Sequence, residues 1–373
     1  MQIPAFCALL ARSQRAGEEM MRLNMSRANN FGVLRLLFAY LVIVAHSPEL
    51  VDGNASRELL TQIFGTITFG GLAVDGFFLI SGYLITKSFV TSQSNLDYLR
   101  KRVLRIYPGY VVAFLISLLI VGPISGGHFD GISHVLLTNL KRLALLQSPE
   151  LPGAFEGSHY PALNGSMWTI SYEFRCYLIV LLLGTMGALS KRWAVLAGTA
   201  LMLALSTMEL DARLPWLRSI SALTGDVSQT TALTGIFGVG ACFYLFMDHL
   251  RYQGVAAAVA AVLFLLMMFS PLLATPGLAI FGGYLLFWFA FAVRSDQLRS
   301  IGQKVDLSYG VYLYAFPIQK LLILSNPALS PWAVTAVTVV AASGIAWFSW
   351  QLIEKPALDL RGLRWMMVEQ KAG

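Results

Sequence analysis

The sequence predicts an all-α polytopic membrane protein, a bundle of about ten transmembrane helices whose termini both lie in the cytoplasm. Its 373 residues are 56% hydrophobic and only 13% charged. A soluble globular protein carries about 25% charged residues. Because so few charges cannot cover a water-facing surface, a lipid bilayer is the predicted solvent.

Ten apolar stretches are long enough to cross a bilayer, for which about 20 residues suffice in a helix. Helices are predicted because lipid offers no partner for open backbone groups. The stretches are residues 31–50, 68–90, 108–125, 168–188, 193–208, 231–250, 254–272, 276–293, 305–325 and 331–354. The predicted organisation is a cytoplasmic tail (1–30), a membrane domain (31–358) and a second cytoplasmic tail (359–373). Residues 134–148 are predicted to form an amphipathic surface helix, because Lys141 and Arg142 interrupt their apolar run.

The basic residues indicate the orientation. The net charge is +7, and most Lys and Arg fall in alternate connecting segments, as expected if these segments are cytoplasmic. Cytoplasmic Lys and Arg that orient the helices account for the net positive charge, so no nucleic-acid partner is predicted. The three cysteines form no CxxC pair, and the histidines of the longest outside segment, 126–167, fit no metal-ligand spacing, so no metal site is predicted.

Ionisable side chains inside the spans mark a candidate site, since each is costly in lipid. Arg35 and His46 share one face of the first helix, about 17 Å apart along its axis. His46, Asp75 and Glu173 lie on three helices at a similar depth in the outer third, which predicts a polar site reached from outside. A buried histidine bonded to a neighbouring helix is the alternative. Lys320 is expected to extend to the membrane interface.

A basic cluster marks the opposite, cytoplasmic side. Arg102 and Arg105 are three residues apart at the start of the third helix and share a face. Guanidinium groups bind phosphate oxygens bidentately, so this pair is a candidate phosphate site. Charge that merely orients the helix is the alternative.

Six segments together resemble the acyltransferase family 3 of integral membrane O-acyltransferases, over about 30–356. The first holds Arg35 and His46 at the family's spacing, and the others contain Ser81, Trp168 and Tyr309. One departure is Ala315, where the family often has a histidine. The segments are LRLLFAYLVIVAH (34–46), GLAVDGFFLISGYLIT (71–86), RKRVLRIYP (100–108), NGSMWTISYEFRCYL (164–178), SYGVYLYAFP (308–317) and EKPAL (354–358).

This resemblance implies an enzyme that transfers an acyl group, commonly acetyl, from cytoplasmic acyl-coenzyme A to a hydroxyl of a polysaccharide, lipid-linked glycan or glycolipid. It also implies a bacterial cytoplasmic membrane. On this interpretation His46 is the general base and Glu173 holds its tautomer. The expected phosphate ligands are Arg35, Arg102 and Arg105, and possible supporting residues are Asp75, Ser81, Trp168 and Tyr309.

Two other functions fit a polytopic chain with polar residues in its spans. A transporter or flippase of a lipid-linked saccharide is the main alternative, but the two halves show no internal repeat of the kind such proteins often carry. A glycan ligase or polymerase is less favoured, because its large arginine-bearing outer loops are missing here. The acceptor, the acyl chain length and the oligomeric state are not predicted.

Overall fold

The computed structural model describes residues 29–208 and 225–360, and within these ranges every regular element is helical. This agrees with the all-α prediction. The two predicted cytoplasmic tails lie almost entirely outside the described residues.

Thirteen helices are labelled in the described residues. They are α1 (Phe31–Asp52), α2 (Leu59–Phe64), α3 (Phe69–Val90), α4 (Asn95–Ile124), α5 (Ile132–Ala144), α6 (Trp168–Thr185), α7 (Arg192–Ser206), α8 (Val227–Leu245), α9 (Gly254–Met267), α10 (Ala274–Ala292), α11 (Asp296–Ser300), α12 (Ser308–Ser325) and α13 (Pro331–Asp359).

The longer helices form a bundle suited to a bilayer. By length and composition, α1, α3, α4, α10, α13 and the segment Gly165–Thr185 that contains α6 can each cross a membrane. Helices α7 and α9 are apolar but shorter, and α8 and α12 coincide with two further predicted stretches. The total of ten crossings and the cytoplasmic position of both termini stay predictions.

Helix α1 packs against α3, α12 and α13. Where α3 crosses α8, the backbones of the two helices are in direct contact. A Cβ added to Gly82 would lie 2.0 Å from the Phe237 carbonyl oxygen, and one added to Gly240 would lie 2.1 Å from that of Leu79. Small residues at such crossings let membrane helices pack closely.

The segment between α4 and α6 forms a cap over one end of the bundle. It contains α5, close to the predicted amphipathic helix. Lys320 of α12 is only 5% exposed and lies beneath this cap. Its Nζ donates to Ser158 Oγ at 2.8 Å and to the Tyr160 carbonyl, and it sits 4.3 Å from the centre of the Phe155 ring. The expectation that Lys320 extends to the membrane interface is therefore wrong, because the cap supplies its polar partners inside the protein.

Candidate active site

A cavity among α1, α3, α4, α6 and α12 gathers six of the residues singled out in the sequence. We call it the arginine cavity, and these residues are Arg35, Ser81, Arg102, Arg105, Glu173 and Tyr309. The two arginines of α4 and the one of α1 therefore face a common space, as the phosphate-site prediction requires.

A buried carboxylate holds two of the arginines. Asp306, in the turn before α12, has a side chain only 8% exposed. Its Oδ2 lies 2.7 Å from Nη2 of Arg105 and 3.2 Å from Nη2 of Arg35. Its Oδ1 accepts from Ser308 Oγ at 2.6 Å. Sequence reasoning missed Asp306, which falls just before the matching segment 308–317.

The arginines retain unused hydrogen-bonding capacity. Nε of Arg35 and Nε of Arg102 are both buried without a hydrogen-bond partner. Arg102 otherwise donates to Ser88 Oγ at 3.2 Å, and its guanidinium lies 5.9 Å from the ring centre of Tyr177. Buried unpaired donors are uncommon in folded proteins, so these two groups are suited to an anionic ligand with several oxygens.

Glu173 belongs to the arginine cavity. Its Oε1 accepts hydrogen bonds from Ser81 Oγ and from the Tyr177 hydroxyl, each at 2.7 Å. Tyr177 follows Glu173 by four residues, which places both on one face of α6. Tyr309 lies at the same cavity, with its hydroxyl donating to the Ile106 carbonyl at 2.8 Å.

A second cavity contains the predicted base. We call it the histidine cavity, and its lining includes His46, Glu49, Asp75, Trp168 and Tyr312. The predicted convergence of His46 and Asp75 at one polar site is thus observed. Glu173, predicted to join them, is separated from them in the arginine cavity.

The partner of His46 is Glu49. Nδ1 of His46 lies 2.9 Å from Oε2 of Glu49, and both side chains are about a quarter exposed. The expectation that Glu173 holds the imidazole is therefore wrong. The spacing of three residues on one helix face was the available signal, and Glu49 lies beyond the matched segment that ends at His46.

The cap also reaches this pair. The Tyr160 phenol lies close to the Glu49 carboxylate. Burial, followed by the negative charge of Glu49, raises the pKa of the Tyr160 phenol above its ordinary value. On the opposite side, the Phe316 ring packs edge-on against the imidazole at 5.5 Å. Ala315, where relatives often carry a histidine, is buried and packs in a cluster with Ala39 of α1.

The two cavities meet at two residues, Val74 of α3 and Tyr312 of α12, which line both. The imidazole and the guanidinium groups therefore face neighbouring cavities whose linings share Val74 and Tyr312. Within residues 29–208 and 225–360, no group of three or more His, Cys, Asp or Glu side chains is arranged to hold a metal ion.

Comparison with known proteins identifies what this arrangement resembles. The family model Acyl_transf_3, described as an acyltransferase domain, matches residues 29–350. An O-acetyl transferase of Shigella phage Sf6 is 30% identical over 353 residues, covering 89% of this chain and 96% of the relative. Nodulation protein 10 of Rhizobium leguminosarum bv. viciae is 27% identical over 355 residues, covering 89% and 94%. Acyltransferase MdmB of Streptomyces mycarofaciens is 32% identical over 149 residues, covering 38% and 35%. No solved structure matches this chain.

Proposed function

This chain belongs to acyltransferase family 3, and we propose that it moves an acetyl group from acyl-coenzyme A to a hydroxyl of a surface glycan or glycolipid. In this proposal the donor enters the arginine cavity from the cytoplasm and the acceptor enters the histidine cavity from the outer side. The acceptor classes are polysaccharides, lipid-linked glycans and glycolipids such as lipopolysaccharide. The enzyme would act in a bacterial cytoplasmic membrane.

The single observation that supports this donor most strongly is the cluster of three arginines with unpaired hydrogen-bond donors. Three guanidinium groups face one cavity, and two of them keep a buried Nε without a partner. Guanidinium pairs bind the oxygens of phosphates in a fixed, bidentate geometry. A donor with a diphosphate and a long thin arm would occupy these groups and place its thioester toward Tyr312.

The histidine cavity supports general-base catalysis. In the proposed step, Nε2 of His46 removes the proton of the acceptor hydroxyl while the oxygen attacks the thioester carbonyl carbon. The carbon–sulfur bond then breaks, and coenzyme A leaves as a thiol after taking up the proton from the imidazolium. Glu49 accepts the hydrogen bond from Nδ1, which fixes the tautomer and stabilises the imidazolium, as a carboxylate does in a catalytic triad.

Other predicted site residues take positions consistent with binding. Asp75 and Trp168 line the acceptor side, where a carboxylate and an aromatic ring suit sugar hydroxyls and a sugar face. Glu173 orients the Ser81 and Tyr177 hydroxyls on the donor side. We therefore propose that Glu173 contributes to donor placement, and its catalytic role stays a prediction.

The test is transfer of labelled acetyl from acetyl-coenzyme A to a membrane-extracted glycan acceptor in proteoliposomes. His46→Ala should abolish incorporation while the protein remains inserted and folded, and the control His134→Ala changes an exposed histidine of the cap. Arg102→Ala should weaken acetyl-coenzyme A binding, whereas Lys141→Ala, on the exposed face of α5, should not. Incorporation by the His46 variant at the wild-type rate would remove the proposed base. Saccharide movement without covalent incorporation would favour a transporter.

A further inference from the structure

Tyr312 occupies the boundary between the two cavities and is fixed there from two sides. The residue is 8% exposed, and its hydroxyl shares a hydrogen bond of 2.6 Å with Thr169 Oγ1 of α6. Its ring packs edge-on against Phe77 of α3, with ring centres 5.9 Å apart. Together with Val74 it is common to the linings of both cavities. The ring is therefore a packed and anchored partition.

The reaction requires this partition to be crossed. In the proposed function the donor phosphates lie with Arg35 and Arg102, and the attacking hydroxyl lies beside His46. The thioester carbon must come within bonding distance of that hydroxyl, so the acyl group meets Tyr312 and Val74 on its way. Thr169 is itself buried, so the hydroxyl contact that anchors the ring is shielded from competing water.

Such a partition discriminates by size. Packed protein interiors accommodate additional methylene groups poorly, because neighbouring side chains must leave their preferred rotamers. A ring held at its hydroxyl by Thr169 and packed against Phe77 has little freedom to move aside. An acetyl group presents one methyl at this point, whereas propionyl and butyryl groups present one and two more carbons.

We propose that Tyr312 sets the acyl specificity of the enzyme, admitting acetyl and rejecting longer chains, and that it also keeps water of the histidine cavity away from the thioester. This inference rests on the proposed donor and acceptor sides. Water that reached the thioester would attack its carbonyl carbon, the carbon–sulfur bond would break, and a carboxylic acid and coenzyme A thiol would form. Faster hydrolysis of acyl-coenzyme A in the absence of acceptor is therefore the second effect expected when the Tyr312 ring is removed.

The experiment measures kcat/KM with acetyl-, propionyl- and butyryl-coenzyme A, together with acceptor-free hydrolysis. Tyr312→Ala removes the ring, so the butyryl-to-acetyl ratio should rise about tenfold or more, the scale on which apolar pockets separate substrates by one methylene. Hydrolysis should rise as well. Tyr312→Phe and Thr169→Val keep the ring and each lose the same hydrogen bond. Both should retain the acetyl preference and show an equal, smaller rise in hydrolysis.

The outcomes separate this inference from the proposed function. If wild-type protein uses acetyl-coenzyme A but Tyr312→Ala keeps the wild-type ratio, the role of Tyr312 is refuted and the acyltransferase proposal stands. If wild-type protein uses no acyl-coenzyme A, the proposed donor itself fails. Should the alanine variant not fold, Tyr312→Leu provides the same measurement with a smaller cavity. Unequal hydrolysis by Tyr312→Phe and Thr169→Val would contradict the anchoring hydrogen bond.

Discussion

Replacing Asp306 by asparagine tests the donor site through stability. The carboxylate is the counter-ion of Arg35 and Arg105, at 3.2 and 2.7 Å. Asparagine keeps nearly the same shape and can still accept from Ser308, but the negative charge is lost. Two guanidinium groups then share a cavity without their common partner, while Arg102 adds a third positive charge nearby.

The expected cost follows from burial. Removing one partner of a fully buried ion pair costs about 3–5 kcal/mol. Arg35 and Arg105 are 25% and 20% exposed, so solvent screens part of the charge and we expect a loss of about 2–3 kcal/mol for Asp306→Asn. The same change makes the cavity more positive, so added coenzyme A should stabilise the variant more than it stabilises wild-type protein. A ligand at 100 times its Kd adds about 2.7 kcal/mol.

Thermal unfolding in nanodiscs, with and without coenzyme A, measures both effects. Asp130→Asn is the control, because Asp130 carries the same charge on the exposed cap with an 88% exposed side chain. A variant at Asp306 as stable as this control would show that the arginines do not need the carboxylate. A destabilised variant that gains no more from coenzyme A than the control would make the arginines structural and refute their role in donor binding.

Three further substitutions test other contacts. Glu49→Gln should lower the transfer rate by about 10²–10⁴-fold with an unchanged acetyl-coenzyme A affinity, because an amide does not stabilise an imidazolium; a rate within a few-fold of wild type would contradict the pairing. Lys320→Ala should destabilise the cap by about 1–3 kcal/mol through lost buried hydrogen bonds, seen as faster hydrogen exchange in residues 151–163, and unchanged exchange would refute the anchor. Gly82→Ala should lower the Tm markedly, since its Cβ would lie 2.0 Å from the Phe237 carbonyl oxygen. Gly198→Ala, with no atom within 4 Å of its added Cβ, should leave the Tm nearly unchanged.

The helices were predictable because length and hydropathy are properties of single segments. The ten apolar stretches coincide with ten described helices, with one informative shift. The third was predicted over 108–125, whereas α4 is Asn95–Ile124. Its first turns carry Arg102 and Arg105, which a hydropathy window excludes. Those side chains face the arginine cavity, so the helix continues through residues that lipid would reject.

The partners within the site were less predictable because they depend on which faces meet. Similar depth in the membrane predicted that Glu173 lies beside His46. The face of α6 that carries Glu173 instead points to Ser81 in the arginine cavity. Asp306 lies in a turn, where no periodicity marks it. The contact of His46 with Glu49 was predictable from sequence, because residues three apart on a helix lie on one face.

The buried Lys320 and the His46–Glu49 pair are connected by one chain of contacts. Nζ of Lys320 donates to the Tyr160 carbonyl and to Ser158 Oγ, the Tyr160 phenol lies close to the Glu49 carboxylate, and Glu49 Oε2 lies 2.9 Å from Nδ1 of His46. A lysine taken out of water is costly unless its donors are paired, and here the cap supplies that pairing. Because the cap residue whose carbonyl pairs with Lys320 also places its phenol beside Glu49, we expect the cap to influence the position of the imidazole. Loosening the cap at Lys320 should therefore reduce transfer as well as protection from exchange. Donor affinity should not change, because Lys320 lies about two helical turns along α12 from Tyr312, which lines the arginine cavity.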